Sequence, residues 1–584
     1  MVKCQKKRYL INKQKLQQET GTIFHSWNED RYRIALIYPN TYHHGMSNLG
    51  FLTVYQLLNQ RDDCLCERFF LPDKDKSDRD KQSASPLVSL ESGHLLTDFD
   101  LVAFSVSFEN DYLNIPVIFS LAGIPFFSVD RDDSWPLVLF GGVCAFINPE
   151  PLADIVDLVA IGEAEPILPG LLDRLLRRPA DRDDCLRELA LLPGIYVPKF
   201  YSPVYAETGE LTQFTRDNGV PEQVTRQFLT NLDLSASRSF IQTEATEFGH
   251  MALTEVSRGC SRGCRFCAAG FVYLPPRERS LDNLLDQVDS GLCERNRIGL
   301  VAAAVSDYAN IQELQQGILE RNGQISMSSL RLDALTTAEI EILHQAGHKS
   351  VAIAPEAGSQ RLRNAINKGI SEEQILASVK MLADGGIKNL KLYFIIGFPG
   401  ERQSDVEAIV ALTETISTIW REAGRKRGQL GNLTLSINPF IPKPFTPFQW
   451  AGMEGEKSLK KKLRFLQSSI SRIPNTRMNH ESVRMATLQT FLSRGDRRIG
   501  ELLPQLSAGA NLKQTCKKSG LSVEFYVTRE RGVAEFFPWE IIDQGVKRIY
   551  LWQECQRGQQ EKLTSPCIPS CRRCGVCSDE VNSC

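Results

Sequence analysis

Apolar segments alternate with amphipathic segments in two separate series along the chain. In the first series, four apolar runs are predicted to be buried strands, with helices such as YLNIPVIFSLAG between them. These runs are RIALIYP (33–39), DLVAFSVSF (100–108), PLVLFGG (136–142) and DLVAIGE (157–163). Strands that alternate with helices are typical of a parallel sheet with helices on its faces. The pattern predicts a Rossmann-like α/β domain over residues 30–175.

The second series has six strand–helix repeats, from ALTEVS (252–257) to LTLSINPF (433–440). Six repeats are too few for a closed eight-stranded barrel, so we predict a partial (β/α)6 TIM-like barrel over residues 246–450. Active sites of such barrels lie at the carboxyl ends of the strands.

The remaining segments have weaker patterns. We expect a basic lead-in over 1–29, a connector over 176–245, a mainly helical region over 451–555 and a cysteine-rich tail over 556–584. Within 457–498, 11 Lys and Arg residues stand against 2 Asp and Glu residues, so the local net charge is 11 − 2 = +9. This segment is predicted to be either a solvated helical surface or a contact for RNA phosphates.

Composition is that of an ordinary globular chain with several domains: 584 residues, 42% hydrophobic and 24% charged. The net charge of -2 gives no global attraction to nucleic acid or membrane. We see no apolar run long enough to cross a membrane and no secretory signal, so we expect a cytoplasmic protein that does not contact membranes. In a reducing compartment, clusters among the 16 cysteines favour metal binding over disulfides.

Three cysteines are crowded into RGCSRGCRFCAAG (258–270), at positions 260, 264 and 267. Thiolates are preferred ligands of iron–sulfur clusters and of structural zinc. A structural zinc site normally has four protein ligands, whereas three leave one metal position open, which suits catalysis. The arginines at 258, 262 and 265 place positive charge around this anionic centre. The alternative is a zinc loop completed by a distant residue.

This loop resembles the cluster motif of the radical S-adenosylmethionine (SAM) superfamily. The resemblance implies that Cys260, Cys264 and Cys267 hold a [4Fe-4S] cluster and that SAM chelates its fourth iron. It further implies that one electron, from a donor such as a flavodoxin or ferredoxin, cleaves SAM to methionine and a 5'-deoxyadenosyl radical. Phe266 is then expected to pack near the adenine.

Segments beyond the loop extend the resemblance. APEAGSQRLRNAINKG (354–369), FIIGFPGE (394–401) and SSLRLD (328–333) resemble family segments that border SAM. The family often has Gly-Gly-Glu after the second strand, where this chain has VSDYAN (305–310). The implied SAM contacts outside the loop are Ser306, Asp307, Ser329, Arg331, Glu356 and Gly397.

The first domain resembles the cobalamin-binding domains of B12-dependent radical SAM enzymes, through pieces such as FSVSFEN (104–110) and GGVCAFINPEPLAD (141–154). The implied cobalamin contacts are Ser105, Ser107, Gly141 and Gly142. The Asp-x-His-x-x-Gly cobalt-ligand motif is not in the sequence, and His43 and His44 are expected to be loop histidines. The alternative is a domain that has kept the fold without the ligand.

Cys567, Cys571, Cys574 and Cys577 form C-x3-C-x2-C-x2-C in the tail. The compact spacing predicts a second metal site, either an auxiliary iron–sulfur cluster or zinc, with redox-active thiols as the alternative.

The whole pattern, with PWEIIDQGV (538–546), resembles a group of B12-domain radical SAM proteins of unassigned reaction. We expect an enzyme that cleaves SAM reductively, with cobalamin, for methyl transfer or rearrangement at an unactivated carbon. One alternative is a cobalamin-independent enzyme that uses an auxiliary cluster to modify RNA or insert sulfur. Another is a non-catalytic iron–sulfur sensor or RNA-binding protein.

Overall fold

A computed structural model describes residues 3–28, 30–73, 86–177, 181–327, 332–333, 335–345, 348–568 and 571–577. The chain divides into two units. Unit 1 comprises residues 1–253, 492–523 and 534–545, and unit 2 comprises residues 254–491, 524–533 and 546–584.

The described strands are β1 (Tyr32–Thr41), β2 (Cys64–Leu71), β3 (Leu101–Ser105), β4 (Leu137–Gly141), β5 (Leu158–Ala160), β6 (Ile195–Tyr196), β7 (Tyr201–Tyr205), β8 (Leu211–Arg216), β9 (Val224–Thr225), β10 (Ala252–Glu255), β11 (Ser257–Arg258), β12 (Arg277–Glu278), β13 (Arg297–Val301), β14 (Gln324–Met327), β15 (Ser350–Glu356), β16 (Asn389–Ile396), β17 (Asn432–Pro439), β18 (Thr476–His480) and β19 (Ile542–Asp543).

The described α-helices are α1 (Lys3–Leu16), α2 (Tyr42–Met46), α3 (Leu49–Asn59), α4 (Ile115–Ala122), α5 (Val143–Ile147), α6 (Ala164–Leu175), α7 (Arg182–Leu189), α8 (Ala269–Val272), α9 (Leu281–Leu292), α10 (Ile311–Glu320), α11 (Thr337–Gln345), α12 (Gln360–Ala365), α13 (Glu372–Asp384), α14 (Gln403–Lys426), α15 (Glu456–Ile470), α16 (Val483–Arg494), α17 (Leu503–Ser507), α18 (Leu512–Lys518), α19 (Val523–Val527) and α20 (Arg548–Gln559). Short 3-10 helices occur at Leu96–Asp98, Glu109–Asn114, Ser128–Asp130, Glu150–Leu152, Pro198–Phe200, Leu232–Leu234, Val305–Asp307, Arg497–Leu502 and Pro538–Ile541.

Unit 1 is built on a six-stranded sheet in the order β2-β1-β3-β4-β5-β6. Strands β1 to β5 are parallel, and β6 runs antiparallel to β5. Residues 34–37 of β1 and all of β3 are buried on both faces of the sheet, which explains why these segments are continuous apolar runs. The predicted α/β architecture of this domain is confirmed, and β2 and β6 add two strands that the apolar pattern does not predict.

Unit 2 contains the six predicted strands of the second series as β10 and β13 to β17. Among the described residues they form one sheet in the order β10-β13-β14 and another in the order β15-β16-β17-β18. In β16, Leu390, Leu392, Phe394 and Ile396 are buried while the residues between them are half-buried, as the pleat of a strand requires. The mixed α/β character of the prediction is confirmed.

A further parallel strand, β18, pairs with β17, with Thr476 opposite Leu433. It lies in the region predicted to be mainly helical. Its sequence, TRMNH, is polar, and only Met478 is buried, so hydrophobic periodicity contains no signal for it.

Candidate active site

The cysteine loop follows β11, and its backbone is shaped by a glycine. Gly259 has a φ of +85°, and a Cβ at this position would meet the carbonyl oxygen of Tyr273 at 2.6 Å. Only glycine accepts both the left-handed backbone and the close approach. Farther along, the amide of Cys267 donates to the carbonyl of Cys264 at 3.0 Å, which turns the chain back on itself.

The loop thiols lie close to the end of β15. Burial raises the pKa of the Cys264 thiol to about 12, while the nearby Lys368 ammonium lowers it. Burial is also the main cause that raises the pKa of Cys267, and the carboxyl of Glu356 acts in the same direction on both thiols. Without a bound cation these thiols therefore stay protonated, and metal binding has to displace their protons.

Glu356 ends β15 in a strained conformation. Its φ is +65°, a region that costs a non-glycine residue on the order of 1–3 kcal/mol. Its carboxylate accepts from the Lys368 ammonium at 3.1 Å, and burial raises its pKa above the ordinary value. Such strain persists only where the surroundings impose it, and it clusters at functional sites. The structure therefore brings this implied SAM contact next to the cysteines.

A contact between two aromatic rings connects the loop with the end of β16. The ring centroid of Phe266 lies 5.5 Å from that of Phe398, which follows Gly397 directly. The Gly397 amide donates to the Glu401 carboxylate at 2.9 Å. Two implied SAM contacts, Phe266 and Gly397, are therefore connected through the ring of Phe398.

Lys462 of α15 contacts the Glu401 carboxylate, which accepts the hydrogen bond from the Gly397 amide. Its ammonium donates to the carboxylates of Glu401 and Glu454. In the sequence, Lys462 is only one of the positive charges of the basic segment. Periodicity does not reveal which lysine side chain of a helix points inward.

Ser306 and Asp307 follow β13, where the family often has Gly-Gly-Glu. The hydroxyl of Ser306 is buried and has no hydrogen-bond partner. Asp307, by contrast, is paired with Arg262 of the cysteine loop at 2.6 Å. The implied contacts Ser329 and Arg331 lie outside the described residues. Because Asp307 is bound to Arg262 of the cysteine loop, the unpaired hydroxyl of the preceding Ser306 lies near this loop, where it fits a hydrogen bond to a polar ligand such as SAM.

The arginines of the loop do not form a diffuse positive field, because each has a carboxylate partner. Arg258 contacts Glu255 at 3.0 Å and Arg262 contacts Asp307. Arg265 is fully buried and contacts Glu554 at 3.0 Å. Their role is to hold the loop in place.

Two residues at the end of the APEAGSQRLRNAINKG segment were not predicted as part of the site. The Asn367 amide donates to the carbonyls of Arg262 and Gly263 at 3.2 and 3.1 Å, and Lys368 pairs with Glu356. The available signal was the resemblance of this segment to the family, but contact with the cysteine loop is a property of the fold.

The tail cysteines lie in the same unit, and their thiols interact electrostatically. Burial, followed by the thiols of Cys571, Cys574 and Cys577, raises the pKa of Cys567 to about 12. The Arg573 guanidinium donates to the Cys571 sulfur at 3.1 Å and lowers the pKa of that thiol against the effect of burial. Over the described part of the chain, no three His, Cys, Asp or Glu side chains are close enough to share one metal ion, in the loop or in the tail.

In unit 1, the residues implied to contact cobalamin have other roles. Gly142 has a φ of +92°, and a Cβ there would meet the carbonyl oxygen of Val106 at 2.5 Å, so the chain itself requires the glycine. Ser105 is buried opposite Gly141 in the sheet, and the Ser107 hydroxyl accepts from the Asn48 amide at 3.0 Å. These contacts are made within unit 1 itself.

The loop histidines of unit 1 also have local partners. His43 lies 3.6 Å from the Glu247 carboxylate, and the His44 ring contacts the Thr41 hydroxyl at 2.9 Å.

The basic residues of the segment 457–498 fall into an exposed group and a buried or half-buried group. Seven of its basic residues are exposed: Lys457, Lys460, Lys461, Arg464, Arg472, Arg477 and Arg484. The other four, Lys462, Arg494, Arg497 and Arg498, are buried or half-buried. Among the described helices, none has the length and apolar character needed to cross a membrane.

Comparison with known families identifies the class of protein. Residues 254–413 match the model of the radical SAM superfamily, and residues 50–198 match that of radical SAM proteins, N-terminal. The chain thus carries domains of the radical SAM superfamily and is an enzyme, with the reaction left open.

Three individual proteins are similar to this chain over different shares of its length. An uncharacterized protein of Methanocaldococcus jannaschii is 28% identical over 492 residues, which is 84% of this chain and 94% of the relative. A ribosomal protein uS12 methylthiotransferase RimO of Thermotoga sp. is 25% identical over 39% of this chain and 56% of the relative. A tRNA-2-methylthio-N(6)-dimethylallyladenosine synthase of Anaplasma phagocytophilum is 24% identical over 38% of this chain and 54% of the relative. The chain thus matches only about half the length of these two named enzymes.

Among solved structures, the cobalamin-dependent SAM radical enzyme OxsB has 16% sequence identity and a TM-score of 0.42. The match covers 87% of this chain and 60% of OxsB.

Proposed function

We propose that this protein binds a [4Fe-4S] cluster through Cys260, Cys264 and Cys267 and cleaves SAM reductively to start radical chemistry on a substrate carbon. The bound cluster supplies the single electron for this cleavage. The protein's own residues bind and orient SAM at the carboxyl ends of the strands, as in other barrels of this kind.

One observation carries the proposal: residues from three other chain segments lie near the cysteine loop. Glu356 comes from the end of β15, Gly397 from the end of β16 and Ser306 from the segment after β13, while Phe266 belongs to the loop itself. Glu356 acts electrostatically on two of the three thiols. A purely structural metal site has no need of an unpaired buried hydroxyl or a strained carboxylate beside it.

The test is anaerobic reconstitution with iron and sulfide, followed by reduction with dithionite in the presence of SAM. We expect 5'-deoxyadenosine in the wild type and none in Cys260→Ala. The matched control is Cys293→Ala, because Cys293 is an exposed cysteine at the end of α9. Equal 5'-deoxyadenosine from Cys260→Ala and the wild type would contradict the proposal.

Glu356→Gln tests the SAM contact separately from the cluster. The variant keeps the shape of the side chain but removes its charge, so we expect iron content to be retained and SAM affinity to fall about tenfold or more, as for a lost charge-assisted hydrogen bond. Equilibrium binding of SAM to the oxidised, reconstituted protein measures this without turnover. Unchanged affinity would remove Glu356 from the SAM site.

We consider two classes of reaction that the radical could start on the substrate. The first is cobalamin-dependent methyl transfer or rearrangement at an unactivated carbon, which rests on the resemblance of unit 1. Its test is the corrinoid absorbance of protein purified anaerobically from cobalamin-supplemented cells, and less than stoichiometric corrinoid would exclude it.

The second class is sulfur insertion or RNA modification without cobalamin, and the methylthiotransferase relatives favour it. In that case the exposed basic residues of α15 would bind RNA phosphates and a flavodoxin or ferredoxin would supply electrons. Mass spectrometry of deuterium moved into 5'-deoxyadenosine from labelled candidate substrates distinguishes the two classes.

A further inference from the structure

The cysteine-rich tail is attached directly to the cysteine loop. The backbone amide of Cys567 donates to the carbonyl of Ser261 at 2.7 Å. Three residues earlier, the amide of Thr564 donates to the side chain of Asn367 at 2.8 Å, and the same Asn367 side chain holds the loop carbonyls. Because Ser261 follows Cys260 directly, the first cysteine of the tail lies beside the first cysteine of the loop.

A buried arginine fastens this arrangement. The guanidinium of Arg265 contacts the Glu554 carboxylate on α20, the carbonyl of Lys562 at 2.8 Å and the Thr564 hydroxyl at 3.2 Å. On its other side it donates to the Ala365 carbonyl at 2.8 Å. The Arg265 side chain thus contacts both α20 and the segment that leads from this helix into the tail.

The tail itself is packed rather than loose at its centre. Cys574 is buried with Leu274 and Val576, and Val546 and Tyr550 pack against them. The carbonyl of Cys574 accepts from the Lys547 amide at 2.8 Å. A small cavity separates the two cysteine groups, with Cys260 and Gly270 on the loop side. Its tail side is formed by Cys567, Cys571 and Cys574.

We propose that Cys567, Cys571, Cys574 and Cys577 bind a second [4Fe-4S] cluster that lies beside the radical SAM cluster and exchanges one electron with it. Three observations favour a cluster over a single zinc ion. The spacing is a compact run rather than two separated pairs. A guanidinium donates to one ligand sulfur, which is a contact that tunes cluster potentials. The neighbouring site is itself a one-electron centre under the proposed function, on which this exchange rests.

The electron count is simple. A low-potential one-electron donor protein reduces the tail cluster by one electron, and the tail cluster returns to its oxidised state when it passes that electron to the loop cluster. No bond to carbon or sulfur changes and no proton is transferred in this step. The electron is then available at the loop for SAM cleavage.

The test uses iron content and electron paramagnetic resonance of the full chain. The variants are Cys571→Ser/Cys577→Ser for the tail and the triple Cys260→Ala/Cys264→Ala/Cys267→Ala for the loop. Cys293→Ser is the matched control. We expect about eight irons per chain in the wild type and control and about four in each cluster variant.

After dithionite reduction, the wild type should give a signal broadened by interaction of two nearby spins, and each cluster variant a sharp signal of one isolated cluster. The triple loop variant keeps this test independent of SAM cleavage, since the tail cluster is measured even if the proposed function fails. One zinc per chain bound by the tail, unchanged iron in the tail variant, or two signals that simply add would overturn the inference.

Discussion

Arg265 is predicted to control whether the tail stays on the cysteine loop. Its guanidinium is fully buried and makes contacts with one carboxylate, one hydroxyl and three backbone carbonyls. Replacing it in Arg265→Met keeps an unbranched apolar chain but leaves the buried Glu554 carboxylate without its guanidinium.

The size of the effect can be worked from these contacts. Breaking a buried ion pair on one side costs about 3–5 kcal/mol. The Thr564 hydroxyl still donates to Glu554 at 2.9 Å and the Arg557 guanidinium lies 3.6 Å from the same carboxylate, so the carboxylate keeps two partners and the lower end of the range applies. We therefore expect the free energy of local tail opening to fall by about 3 kcal/mol, which is a factor of roughly 100 in the open population.

Alkylation of Cys574 in iron-free protein measures this opening, because the residue is only 6% exposed when the tail is packed. Its modification rate, followed by peptide mass spectrometry, should rise about 100-fold in Arg265→Met if reclosing is faster than alkylation. The exposed Cys293 is an internal control whose rate should not change.

A double variant tests whether the Arg265–Glu554 ion pair holds the tail. Arg265→Met/Glu554→Met also removes the buried carboxylate that has lost its main ion-pair partner, so it should recover a large part of the loss. A Cys574 rate within threefold of the wild type in Arg265→Met, or a double variant that opens even more readily, would show that the ion pair does not hold the tail.

Three further predictions concern other parts of the chain. Burial raises the pKa of Asp111 to about 6, so its protonated form stabilises unit 1 at low pH and this contribution is lost as pH rises toward and through 6; Asp111→Asn should raise the urea midpoint at pH 8 but not at pH 3. Gly142→Ala should destabilise unit 1 by more than about 1 kcal/mol in calorimetry without any corrinoid, because its Cβ would meet Val106; an unchanged melting temperature would contradict this. Lys457→Gln/Lys461→Gln should weaken RNA binding and reduce its salt dependence, measured by anisotropy, whereas equal salt slopes would exclude the surface of α15 as an RNA contact.

Much of the fold could be predicted because burial leaves a periodic trace in the sequence. Strands β1, β3, β4 and β5 are apolar runs, and β15 to β17 alternate with amphipathic helices. Strand β18 could not be predicted, since four of its five residues are half-buried or exposed and its partner β17 is some 40 residues away in sequence.

In the site, too, some residues could be predicted from the sequence and others could not. Cysteine spacing alone predicted a three-thiol ligand set, and the resemblance pointed to Phe266 within the loop and to Glu356 and Gly397, which the structure places near it. The charge pattern was less informative. Arg265 and Lys462 look like ordinary surface cations in the sequence, but both are turned inward and satisfied by carboxylates.

By itself, the sequence predicted the alternating strands and helices of the two series and a candidate set of three thiol ligands, because these depend on residue type and on local spacing; the class of chemistry came from the resemblance of the cysteine loop to a known family. Only the tertiary structure decided that the tail, some 300 residues further along, runs beside that loop. Contacts such as those of Asn367 and Arg265 with the tail join backbone groups, and a backbone carbonyl has no residue identity that a sequence could reveal.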